Sequence, residues 1–281
     1  MKSGGQRMPV SALLSNGVRG VTVVAAHADD EVIGAGLQLR RWREPQVVIV
    51  TNGAPPDPDD AWSAGFADAR DYAQARLQES LSALELAGVT AEQVHALGFP
   101  DQRASFAMRE MAEMLAGKFD EFQTRIVVTH PYEGGHPDHD TTALAVHLAC
   151  RIHEAHADGA PLIMEMTSYH NRDGLMQTGA FLPASGAGPV AEGNWSEELG
   201  LFKRRLFAFF KTQQNVLRYF PVQPERFRVA PRYDFTQPPH AGRLYYELFD
   251  WGMNGRRWRE LAAEALRACD AAAMATSSVL I

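Results

Sequence analysis

The chain reads as an α/β protein whose mostly parallel sheet is covered by helices on both faces. Three observations predict this. Short β-branched runs alternate with helically spaced stretches through the first two-thirds of the sequence, the rhythm of strand–crossover–strand units. The apolar core of 21–27, like 46–51, has the length and composition of a buried strand rather than a helix. Polar, metal-competent residues gather just beyond the ends of two such runs, the edge at which open parallel sheets bind ligands.

Residues 21–27 (VTVVAAH) are predicted as the first strand, and 31–43 as a helix with Val32, Leu37 and Leu39 on its apolar face. The second strand, 46–53, ends in an Asn-Gly turn signal and gives way to a Pro- and Asp-rich loop over 54–60. A long helix over 66–87 is closed by Gly88 in a C-cap position. Strands at 93–99 and 125–130 enclose a helix at 105–118; a helix at 138–157 then leads to a fifth strand at 162–170. Beyond Asn171 the rhythm is lost. Residues 174–193 read as a Gly/Ala/Pro-rich loop, 196–219 as a helix, 221–239 as an irregular proline-rich segment and 258–273 as a closing helix. There is no internal repeat. The reading is a core over 18–172 with a C-terminal extension over 173–281 that shapes the substrate mouth, together one continuous domain.

The bulk numbers agree. At 281 residues the chain suits one α/β domain, or a core of roughly 170–200 residues with an elaboration. Hydrophobic residues at 46% and charged residues at 22% support a sizeable core. A net charge of −7 argues against a nucleic-acid partner, which needs a basic face. Cys150 and Cys269 lack CxxC spacing and predict neither a disulfide framework nor a cysteine zinc cage. Residues 1–9 carry no apolar signal core, and no apolar run reaches the ~18 residues of a membrane span. A cytoplasmic protein is expected. The stretch LFKRRLFAFF at 201–210 reads as a packed helix with exposed basic residues rather than a membrane-surface helix.

Two segments carry the chemistry. Ala26-His27-Ala28-Asp29-Asp30-Glu31 follows the first strand and opens a helix; Gly134-Gly135-His136-Pro137-Asp138-His139-Asp140 follows the fourth and opens another. If those strands are neighbours, both segments face one crevice. Histidine and aspartate are ligands zinc accepts, and three protein ligands leave one position open for water. His27 and Asp30, three apart at a loop-to-helix junction, and His139 from the other segment form such a set. Asp29, Asp138 and His136 remain beside it. Alone, Asp-Asp-Glu at a helix start is more often a cap, and His-Pro-Asp-His a turn followed by a cap. Two such clusters at equivalent strand ends favour a metal site.

At these residues the sequence resembles the LmbE-like, or PIG-L, family of metal-dependent N-deacetylases. The family's first segment is Ala-His-Pro-Asp-Asp-Glu, and here Ala28 replaces the non-ligating proline. Its second is matched in full by His136-Pro137-Asp138-His139. Arg76-Leu77-Gln78-Glu79 and Gly98-Phe99-Pro100-Asp101 resemble further family motifs, so the likeness runs over roughly 20–170. The resemblance implies a Rossmann-like three-layer fold, with zinc (Fe²⁺ or Co²⁺ as substitutes) held by His27, Asp30 and His139. It implies Asp29 as general base, His136 as oxyanion stabiliser with Asp138 orienting its ring, and Arg76 and Asp101 as substrate contacts. The implied reaction removes an N-acetyl group from an amino sugar or glycoconjugate.

Other residues carry weaker signals. His130 reads either as support for the site or as a packed neutral ring. His147, His153 and His156 read as partly exposed helix residues, and His95 as an ordinary strand residue. His170 is positioned for a substrate contact, while His240 reads as a loop residue. Gly34-Ala35-Gly36 is half a dinucleotide fingerprint, more simply explained by close helix–sheet packing. Glu31 reads as a cap or as support for the ligands. Trp195, Tyr219, Tyr233 and Trp251 could stack on sugar rings or belong to the core. Two rival functions stay open: a metal hydrolase of another amide or an ester, and a non-catalytic glycan- or nucleotide-binding domain.

Overall fold

A computed structural model describes residues 9–154 and 159–279, with side chains described as far as residue 272. The expectations for 1–8 and for His156 lie outside the described residues. Strands β1 (Val21–Ala25), β2 (Gln46–Thr51), β3 (Val94–Phe99), β4 (Ile126–Thr129) and β5 (Leu162–Met166) form a parallel array in the order β3-β2-β1-β4-β5. Their side chains alternate strictly between two cores. Val21, Val23, Val47, Ile49, Ile126 and Val128 face one layer, whereas Val24, Val48, Val50 and Val127 face the other. The first layer holds α1 (Val10–Leu13), α2 (Asp30–Leu39), α4 (Ala69–Leu86) and α7 (Glu197–Phe207), with α3 (Asp59–Ser63) lying before α4 in the chain. The second holds α5 (Met108–Glu121), α6 (Pro137–Glu154) and α9 (Gly255–Val279); α8 (Gln214–Leu217) is a short turn of helix following α7 in the chain. This is the three-layer α/β/α arrangement the sequence predicts.

The structure departs from the sequence reading mainly in the last third. The single strand expected over 162–170 is two. β5 ends at Met166, and Tyr169–Arg172 (β6) pairs with Leu175–Thr178 (β7) in a separate hairpin. Its two-residue turn is Asp173-Gly174, both at positive φ (55° and 82°), the geometry for which Asp-Gly is the strongest local signal. The segment expected to be irregular contains β9 (Arg226–Val229), which pairs antiparallel with β5 and with the short β8 (Ala191–Glu192). The extension thus adds two strands to the core sheet. The helix expected over 196–219 breaks after Phe207, and Leu206, Phe207 and Phe210 are buried against the first layer. That is the packed-helix alternative, and no described helix is long and apolar enough to cross a membrane. The long helix begins at Ala69 rather than Phe66, because Asp68 caps it through the Asp71 N–H while Phe66 folds back onto Ala61 and Tyr72.

α2 lies unusually close to the sheet and to α7. A Cβ on Gly34 would stand 2.4 Å from the Met166 sulfur, and one on Gly36 would stand 3.0 Å from Leu206. Close packing is therefore what these glycines provide.

Candidate active site

β1 and β4 are adjacent where the sheet reverses its winding: β2 and β3 extend to one side, β5 to the other. The segments that follow β1 and β4 enter the same crevice beyond their carboxyl ends. In the turn from β1 into α2, the Asp29 and Asp30 N–H groups donate to the His27 carbonyl (3.1 and 3.3 Å), and the His27 N–H donates to Asp30 Oδ2 (2.9 Å). At the start of α6, Asp140 Oδ1 accepts from the N–H groups of Glu133 and Gly134, folding the loop back over the first turn. Gly135 has no room for a side chain: a Cβ there would stand 2.1 Å from the Tyr169 carbonyl oxygen.

These turns bring three lone pairs to one point. His27 Nδ1, Asp30 Oδ2 and His139 Nε2 form a triangle with all three sides 3.2 Å. Ligands ~2.0–2.1 Å from a tetrahedral ion stand ~3.3–3.4 Å apart, so the triangle has the size of one face of a zinc site. Protonation follows from the outer partners. His27 Nε2 lies 3.2 Å from Asp101 Oδ1, and His139 Nδ1 lies 3.1 Å from Ser168 Oγ. With the ring protons placed on those outer nitrogens, the inner nitrogens of both histidines are bare. Three converging acceptors repel one another unless a cation lies among them. The electrostatics also favour positive charge at this point, which a proton on His27 or a cation between the three groups supplies. Burial opposes charge on His27, yet the carboxylates of Asp101, Asp138 and Asp30 outweigh it and hold its pKa well above the ordinary value. Asp30 is held well below the carboxylate range because His139 and His130 outweigh its burial.

A second set, His27, Asp101, His136 and Asp138, also converges. It fits an ion less well. Asp138 Oδ2 accepts the Gln102 N–H at 2.6 Å much as Asp30 Oδ2 accepts the His27 N–H, but the single lone pair of His136 Nδ1 is also taken, by the Asp138 N–H at 3.1 Å.

Asp29 caps α2 in a backbone conformation (φ 156°, ψ −31°) that L-residues rarely adopt. Its N–H donates to Glu31 Oε2 at 3.0 Å, while Glu31 Oε1 receives the Ser80 hydroxyl at 2.6 Å. Arg76 Nη2 donates to Asp29 Oδ2 at 3.1 Å. Burial pushes the Asp29 carboxyl up to about 7, against the pull of Arg76. His136 is held neutral by burial and by the neighbouring His27 and His139, well below its usual pKa. Because its Nδ1 is an acceptor, the proton of the neutral ring sits on Nε2.

Several predicted roles look different in place. The Asp138 carboxylate stands 3.9 Å from His136 Nδ1, which cannot donate to it; the Asp138 backbone N–H orients that ring instead. Burial raises the Asp138 carboxyl to about 6. Asp101 pairs with His27 Nε2, and Arg76 pairs with Asp29, so both expected substrate contacts are engaged within the protein although both line the cavity. His130 stacks on His139 (centroids 4.1 Å, 12°), and its Nε2 accepts the Ala26 N–H at 3.0 Å, a neutral ring supporting His139. His170 is buried beside Glu133 (3.4 Å), and Tyr169, one residue earlier, lines the cavity instead. Among the described residues, His240 bonds its own loop, through the Ala241 carbonyl. His153 is buried with its Nδ1 2.6 Å from Asp120, not partly exposed, because α6 is covered by α5 and α9.

The cavity above the site, about 150 Å³, takes Asp60 from α3, Gln102 from the β3 exit, and Gln213, Val216, Phe220 and Trp251 from the extension. Trp251 lies against His136 at 4.8 Å. Tyr233 instead packs in the second core and donates to Glu165 at 2.5 Å. Sequence reading missed Ser168; its one signal is a small hydroxyl residue two positions beyond a strand end.

A family model described as "PIG-L: GlcNAc-PI de-N-acetylase" matches residues 22–150, the stretch holding both motif segments. Residues 22–150 are similar to the PIG-L family. No curated protein sequence matches the chain. Solved structures share the fold. A deacetylase of the teicoplanin biosynthesis pathway is 18% identical, with 76% of this chain and 99% of that chain covered at a TM-score of 0.59. The N,N'-diacetylchitobiose deacetylase of Pyrococcus horikoshii is 18% identical over 75% and 83% of the two chains, TM-score 0.51. A 4-carboxy-2-hydroxymuconate hydratase from Pseudomonas putida KT2440 is 15% identical over 77% and 98%, TM-score 0.53.

Proposed function

We propose that this PIG-L-like domain is a divalent-metal-dependent N-deacetylase acting on an N-acetylated amino sugar or glycoconjugate, with zinc as the preferred ion and Fe²⁺ or Co²⁺ as substitutes. The observation that carries it is the 3.2 Å triangle of converging ligand atoms on His27, Asp30 and His139 beside the buried carboxylate of Asp29, which Arg76 holds. Those three residues would hold the ion, which supplies Lewis acidity to an amide carbonyl and acidifies water.

Asp29 is the general base. Arg76 fixes one carboxylate oxygen and leaves the other for the attacking water. Burial opposes charge on this carboxylate, so it accepts a proton readily as the water oxygen bonds the carbonyl carbon. The same proton then passes to the amine nitrogen as the C–N bond breaks, giving a free amine and acetate. His136, neutral and protonated at Nε2, donates to the developing oxyanion. Asp101 keeps the His27 proton on Nε2, and Asp138 fixes the His136 ring through its N–H. Arg76 and Asp101 border the sugar end while holding Asp29 and His27 in place. The extension shapes the mouth through Trp251, Val216 and Phe220.

The test is metal analysis of the purified protein together with amine detection over a panel of N-acetylated sugars, before and after chelation. Amine release that is lost on chelation and restored by zinc is expected. Metal-dependent hydrolysis of an ester, or hydration of an alkene with no amine released from any amide, overturns the deacetylase reading. The hydratase neighbour makes the second outcome worth measuring.

A further inference from the structure

Four carboxylates line the cavity, on Asp29, Asp30, Asp60 and Asp101, against one cationic side chain, Arg76. Both terminal nitrogens of Arg76 are committed, and only its buried Nε has no partner among the described residues. Its Nη1 donates to the Gly53 carbonyl at 2.7 Å and lies 3.7 Å from Asp101, and its Nη2 donates to Asp29. Only 6% of the residue is exposed, and the Gly53 backbone lies so close that a Cβ there would stand 3.0 Å from the guanidinium. Helix N-termini, the other common anion binders, are partly used: the Asp30 N–H goes to the His27 carbonyl, the Asp138 N–H to the His136 ring and the Asp140 N–H to the His136 carbonyl.

Asp60 differs from the other three carboxylates. Asp29, Asp30 and Asp101 are buried and paired, whereas Asp60 is exposed on α3, and its carboxylate has no hydrogen bond or ion pair among the described residues. It is near enough to Asp101 and Arg76 for their charges to act on it. Arg76 and a divalent ion offset three of the four negative charges. The one left over is Asp60's.

We propose that Asp60 is a specificity-determining residue that selects amino-sugar substrates without an anionic group beside the reacting amide and turns away phosphorylated ones. The proposal rests on the deacetylase reading for the substrate's identity as an amino sugar. A phosphate entering this cleft gives up hydration, finds the one arginine already paired with Asp29 and the Gly53 carbonyl, and meets an uncompensated carboxylate. A hydroxyl or a neighbouring ammonium meets no such barrier.

The experiment compares kcat/KM for amine release from the methyl glycoside of N-acetylglucosamine and from the phosphate monoester of that sugar, with wild type and Asp60→Asn, at low salt. Wild type should favour the neutral sugar by roughly tenfold or more, and the ratio should fall several-fold in Asp60→Asn through the KM of the phosphate ester. Equal kcat/KM in wild type, or an unchanged ratio in the variant, overturns the proposal. Calorimetric titration of the metal-loaded protein with glucosamine and with its phosphate monoester needs no turnover and separates the two readings. If neither acylated sugar is cleaved, the deacetylase reading fails. Selectivity then stands if glucosamine binds tighter and Asp60→Asn narrows the gap, and falls if the two bind alike or neither binds.

Discussion

His27 Nδ1 and His139 Nε2 stand 3.2 Å apart, from residues 112 positions apart in the chain, and the outer partners Asp101 and Ser168 hold the opposite ring nitrogens so that both inner nitrogens face one gap. A cation that enters this gap binds the folded state and finds no such site in the unfolded chain. Saturating zinc should therefore raise the melting temperature, and chelation should lower it, by the linkage RT ln(1 + [L]/Kd), about 2.7 kcal/mol at a hundredfold excess over Kd. Ser168→Ala removes the partner that sets the His139 tautomer. It should weaken zinc binding by roughly 10–100-fold with little change in apo stability. Competition against a chromophoric chelator measures this, and an unchanged affinity would show that Ser168 does not set the tautomer.

Asp29 and Asp30 are adjacent carboxylates that the fold drives apart. Burial raises Asp29 to about 7, while His139 and His130 hold Asp30 well below the carboxylate range. One is suited to proton transfer and the other to holding a cation. Asp29→Asn keeps the size and the Arg76 contact but removes the base. Its kcat should fall about 10²–10⁴-fold while metal content stays stoichiometric. Loss of the metal along with the activity would place Asp29 among the ligands instead.

Much of this arrangement is legible in the sequence because it is local. β1, β2 and β4 announce themselves as buried apolar runs, and the residues that follow them are fixed by tight turns into α2 and α6. That β1 and β4 are neighbours is a matter of sheet order, which no local pattern states. The last third is less legible for a physical reason. β8 and β9 have two and four residues and lie among prolines and glycines, too short for periodicity to show. The partners of the site residues were hidden for the same reason. Ser168, Gln102 and Trp251 reach the site by topology, and Arg76 and Asp101 look like substrate contacts until their pairing with Asp29 and His27 is seen.

Away from the site, Glu165 on β5 accepts from Arg228 at 2.6 Å and from the Tyr233 hydroxyl at 2.5 Å, in full burial. Burial, larger than the opposing pull of Arg228, raises its carboxyl to about 7. A carboxyl raised on folding binds its proton more tightly in the native state. Its contribution to stability is therefore complete below the unfolded value near 4.5 and is lost as pH climbs through about 7. Urea unfolding at fixed metal should show wild type losing, from this group, on the order of 3 kcal/mol between those limits. Glu165→Gln should lack that component. Parallel pH profiles for the two proteins would contradict the assignment.

The Lys203–Glu225 pair grips α2 in mid-helix. In a regular helix the N–H of residue i+4 pairs with the carbonyl of residue i. Here the Ile33 carbonyl accepts Lys203 Nζ at 2.7 Å, the Leu37 N–H donates to Glu225 Oε1 at 2.7 Å, and the Gln38 N–H donates to Oε2 at 3.0 Å. The two side chains meet at 2.9 Å, both essentially sealed from solvent. Removing the cation alone leaves a buried carboxylate held only by backbone donors, so Lys203→Met should cost about 3–5 kcal/mol. Pairing it with Glu225→Gln, which removes the stranded charge, should recover part of that loss. Because α2 begins at Asp30, the single variant should also weaken zinc binding, whereas a purely peripheral ion pair would leave it unchanged. Urea unfolding of the two single variants and the double variant, read as a cycle, tests the coupling. Additive losses would mean that the two side chains hold α2 independently.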